Sequence, residues 1–68
     1  MFHIHYTDAQ GREAMWRTLD TREQALDQCF SFRRDLGAGS VRKVVDDSGV
    51  EIPLAEIDAY CKAQTAKG

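Results

Sequence analysis

Two histidines one residue apart, His3 and His5, are the first residues in this chain whose spacing suggests chemistry. Residues two apart on a strand share a face, so the pair would present two imidazoles side by side. Glu13 on a neighbouring strand would add a carboxylate, and such a cluster is the start of a zinc site. A closed site needs a further converging ligand with hydrogen-bonded support behind it. Both cysteines, Cys29 and Cys61, fall on apolar helix faces instead. His3 and His5 therefore read as histidines on the wet side of a strand. A metal protein built on them ranks third among the functional readings, and no metal or cofactor is expected.

Other reactive types are placed less suggestively. Asp46-Asp47 stands directly before Ser48-Gly49, where aspartates are wanted as turn formers. Glu13 and Glu51 face outward with nothing beside them to raise a carboxylate pKa, as a general acid would need. Cys29 sits inside an apolar helix pattern with no cation to favour its thiolate. Nucleophile-elbow, P-loop, dinucleotide-binding and zinc-protease motifs are all absent from the sequence. The expectation is a non-catalytic protein.

The elements that must position these residues are marked clearly. Phe2, Ile4 and Tyr6 alternate with the histidines, the pattern of a half-buried strand. Asp8-Ala9-Gln10-Gly11 is a hairpin turn closed by glycine, and Glu13 to Leu19 is a second strand. Asp20 and Thr21 both fit a capping box, with Glu23 and Gln24 respectively. A helix follows, with Ala25, Leu26, Cys29, Phe30, Phe32 and Leu36 as its apolar face and Gly37 as its stop. Ala38-Gly39-Ser40 turns the chain back into a third strand, Val41 to Asp46. Asp46 to Gly49 repeats the first turn, and Val50-Glu51-Ile52 is a short fourth strand ended by Pro53. Leu54, Ile57, Tyr60 and Cys61 mark a second helix. One α+β domain over residues 1–63 is expected, in ββαββα order, with a frayed tail over 64–68. Its four-stranded antiparallel sheet should carry both helices on one face.

Three-residue turns set the register: Tyr6 opposite Ala14, Ile4 opposite Trp16, Val44 opposite Ile52. Phe2, Ile4, Tyr6, Ala14, Trp16, Val44, Ile52 and Leu54 then line the helix-covered side, with Trp16, Phe30 and Ile52 buried together. The open side collects His3, His5, Met15, Arg17, Val41, Lys43 and Val45, along with Glu13 and Glu51. Such mixed apolar and basic character suits a protein partner or a second copy of the chain. The leading expectation is thus an interaction module working through the open face.

The alternative is a small nucleic-acid binder using Arg17, Arg42, Lys43 and the histidines. A net charge of −2 counts against it, since that binding depends on displacing counterions from phosphates. No apolar run is long enough to span a bilayer, and no secretory leader opens the chain, so a cytoplasmic location is expected. The two cysteines are expected to stay reduced there, although two helices on one side of the sheet leave a bridge open.

Overall fold

A computed structural model describes residues 1–37 and 39–67, with Thr18 and Lys67 described by backbone alone. Ala38, in the expected turn between helix and third strand, and Gly68, in the expected tail, lie outside the described residues. The elements run β1 (Phe2–Thr7), β2 (Glu13–Leu19), α1 (Arg22–Leu36), β3 (Val41–Asp46), β4 (Glu51–Ile52) and α2 (Leu54–Lys67). They make a single α+β unit with an antiparallel four-stranded sheet in the order β2-β1-β3-β4. Helix α2 is continuous through Lys67, past the start of the expected tail. Among the described residues no helix is long and apolar enough to cross a membrane.

The two hairpins close with one set of bonds. Asp8 Oδ1 accepts from the backbone N–H groups of Gln10 (2.9 Å) and Arg12 (3.0 Å), while Gly11 N–H donates to the Asp8 carbonyl. Asp46 Oδ1 accepts likewise from Ser48 (2.9 Å) and Val50 (2.9 Å), and Gly49 N–H donates to the Asp46 carbonyl. Gly11 (φ +79°) and Gly49 (φ +83°) hold the left-handed backbone such a turn requires. The three expected cross-strand pairs form: Tyr6 with Ala14, Ile4 with Trp16, and Val44 with Ile52.

Thr21 is the N-cap of α1. Its Oγ1 accepts from Gln24 N–H (3.1 Å), and Gln24 Oε1 accepts from Thr21 N–H (3.3 Å), a complete capping box. Ala25, Cys29 and Phe32 recur at helical spacing and are buried with Ile4, Leu19, Val41, Val44, Ile52 and Ile57. Ser40 is also buried: its single O–H donates to the Gly37 carbonyl (2.8 Å), with the Phe32 carbonyl 3.2 Å from the same oxygen, fastening the start of β3 to the end of α1.

Three placements correct the sequence reading. Phe32, not Phe30, is the core aromatic of α1: it stacks on Tyr6 (centroids 4.1 Å) and meets the Trp16 edge at 5.9 Å. Phe30, one residue past Cys29 and so about 100° further round the helix, is half-buried beneath the Arg34 guanidinium. Trp16 lies on the helix-covered side at the margin of the sheet, where it stays 39% exposed. Leu54 opens α2 at 45% exposure instead of lining the covered face, because the inward positions of that helix are taken by Ile57 and Cys61.

Candidate functional site

The open face is assembled from cross-strand pairs. His3 lies opposite Val45, His5 opposite both Met15 and Lys43, and Val45 opposite Glu51. Arg17 follows Met15 by two residues and shares its side. His3, His5, Met15, Arg17, Lys43 and Val45 are therefore brought to one surface.

Val41 is the exception among the expected site residues. It is 4% exposed and belongs to the core. The cause is an irregularity in the β1–β3 ladder: His5 pairs with Lys43, but the adjacent Tyr6 pairs with Val41. Arg42 is thus one residue too many on β3, and a single extra residue reverses the inside-outside phase of everything before it. Val41 turns toward Tyr6 and the helices, and an apolar β-branched side chain gains from that burial. The same insertion leaves Arg42 and Lys43 both exposed. With His5, Tyr6, Glu13 and Ala14 they line a shallow groove of about 440 Å³ at one end of the sheet.

Charge is distributed unevenly. All three arginines of α1 are paired: Arg22 with Glu56, Arg33 with Asp58 and Arg34 with Asp35. On the sheet, Arg17, Arg42 and Lys43 have no acidic partner within ion-pair distance among the described residues, nor have Glu13 and Glu51.

His3 is tied down by a residue the sequence reading treated only as a turn former. Its Nε2 lies 2.7 Å from Asp47 Oδ1, and Asp47 Oδ2 accepts from the amino group of Met1 at 2.9 Å. Those two hydrogen bonds, the amino group first, hold the Asp47 carboxyl below the usual aspartate range. An ionised carboxylate only accepts, so Nε2 of His3 carries the proton in this contact. Its Nδ1 is buried and has no hydrogen-bond partner among the described residues. The local signal for Asp47 was weak, since Asp46 alone accounts for the turn; its partner lies 44 residues away.

Among the described residues no three His, Cys, Asp or Glu side chains converge on a metal position. Cys29 is buried and its thiol is pushed up to about 12, chiefly by desolvation, then by the nearby Cys61. A thiol so disposed is protonated at neutral pH and is no nucleophile. Both cysteines are free. Comparison with known protein families, curated proteins and solved structures finds no match to this chain.

Proposed function

We propose that the chain is a non-catalytic interaction module whose working surface is the open face of the sheet. Its partner is a protein segment carrying acidic side chains among apolar ones. The observation that supports this is the contrast in pairing: the α1 arginines are neutralised within the fold, while Arg17, Arg42 and Lys43 on the sheet have no ion-pair partner among the described residues. Cations without an internal partner keep their charge available to a ligand, and the strand backbone that carries them is already ordered. Met15 and Val45 between them supply apolar contact. Glu13 and Glu51 on the same face favour a protein of mixed character over the uniform phosphates of a nucleic acid. A reducing compartment such as the cytoplasm suits the two free thiols.

The test is an NMR titration of the isotope-labelled chain with a Glu- and Leu-containing peptide and, separately, with random single-stranded DNA. Shifts at His5, Arg42 and Lys43 with the peptide, lost in Arg42→Glu/Lys43→Glu, are expected. Peptide shifts confined to the helices, or tighter binding to DNA with a steep salt slope, would reject the reading.

A further inference from the structure

The outer edge of β2 has a second property that the open face does not supply. In the sheet order β2-β1-β3-β4, β2 is an edge strand of seven residues, Glu13–Leu19. Its backbone phase follows from two bonds. Asp8 N–H donates to the Arg12 carbonyl, which makes that a hydrogen-bonded pair of the hairpin, and Thr7 N–H donates away from β2, to the Ser40 carbonyl. Antiparallel ladders alternate, so Glu13, opposite Thr7, turns its N–H and C=O outward, and Met15 and Arg17 do the same.

Two copies pairing edge to edge must set outward residues opposite one another, which allows a two-fold axis at any of residues 13–17. An axis at Ala14 sets Glu13 opposite Met15, and an axis at Trp16 sets Arg17 opposite Met15 and the two indoles opposite each other, so neither pairs the charges. An axis at Glu13 sets two carboxylates directly opposite, and an axis at Arg17 sets two guanidiniums opposite. An axis at Met15 places Glu13 opposite Arg17 of the other copy, twice, with Met15 against itself. On the covered side the same register lays Trp16 opposite the small Ala14, twice. That would cover the indole, which is 39% exposed in the single chain.

We propose that the chain forms a two-fold dimer through β2, antiparallel and centred on Met15, joining two sheets into one of eight strands. The second copy is the occupant because residues 13–17, Glu-Ala-Met-Trp-Arg, complement their own reverse in charge and in size. The pairing window ends at Arg17, since Ile4 pairs with Trp16 but Phe2 with Leu19, and that extra residue on β2 bends the strand away. Within the window β2 has neither proline nor lysine, the usual edge blockers. The opposite edge strand, β4, is two residues long and stops at Pro53.

This dimer engages Glu13, Met15 and Arg17 at one margin of the open face and leaves Arg42, Lys43 and Val45 to the proposed partner, and it is tested with the chain alone. Sedimentation equilibrium should show monomer and dimer exchanging with concentration. In amide hydrogen exchange, Met15 should be protected at high concentration and exposed on dilution. Glu13→Arg and Arg17→Glu should each weaken the dimer at least about tenfold, by opposing like charges twice. An equimolar mixture of the two variants should restore it, as should Glu13→Arg/Arg17→Glu in one chain. A strict monomer at millimolar concentration overturns the proposal. So does a dimer indifferent to the single reversals, or a failure of both rescues while circular dichroism shows each variant folded.

Discussion

The two hairpins share one turn and come to different ends. Both are closed by an aspartate that accepts two backbone N–H groups and by a glycine with positive φ. After the first turn the chain continues for seven residues as β2; after the second it pairs for only two, because Pro53 has no N–H to give a ladder and begins the turn of α2. Turn chemistry therefore decides where a strand reverses and in which register, and the residues beyond it decide what kind of edge results. The first hairpin leaves a long edge with free backbone groups and an exposed tryptophan. The second leaves almost none.

The largest effect that tests this difference lies in the core-facing residues of the returning strands. Ile52 and Trp16 occupy matching places, opposite Val44 and Ile4, but Ile52 is 5% exposed and Trp16 39%. Ile52→Ala should cost about 2–5 kcal/mol in urea unfolding of the dilute chain. Trp16→Ala should cost clearly less, despite removing more atoms, because much of the ring is already in water. An equal or greater loss at Trp16 would mean that the two returning strands are equally buried.

A smaller effect tests the likeness of the turns. A Cβ at Gly11 or Gly49 meets no atom within 4 Å, so Gly→Ala at either probes backbone conformation alone. Each substitution should destabilise by about 1–2 kcal/mol, and the two should match closely. Two clearly unequal values from thermal or urea unfolding would separate turns that the hydrogen bonds make equivalent.

The smallest effect falls where the turns differ: Ala9 of the first is replaced by Asp47 in the second. The Asp47 carboxyl is held below its ordinary value by the Met1 amino group and His3. Its contribution is therefore present above the ordinary aspartate pKa and fades as pH falls through the lowered one. Asp47→Asn should flatten the decline of Tm between about pH 5 and about pH 2. Superimposable profiles for the two proteins would show that the Asp47 contacts with the Met1 amino group and His3 carry no stability.

Much of this architecture was readable one segment at a time. A capping box at Asp20 or Thr21, the stop at Gly37, both turns and the register of both hairpins depend on neighbours within a few residues, and local chemistry specifies them; the structure selects Thr21 as the cap. Helix phase was only half readable. Six apolar residues in α1 offered a face wider than one sheet can cover, and packing chose Phe32 over Phe30.

For the candidate face, six of the seven residues followed from alternation, which holds as long as a ladder is regular. Val41 did not, because the extra residue at Arg42 exists only in the pairing of β3 with β1, strands separated by a whole helix. The Asp47 contact with His3 and the pairing of α1 arginines with α2 carboxylates are of the same kind. The sequence by itself determined where this chain turns, caps and alternates, since those are contests among adjacent groups. Which strand stands at the edge, which valine is buried and which cations remain unpaired were decided only when distant segments met, because each depends on what fills the space on the far side.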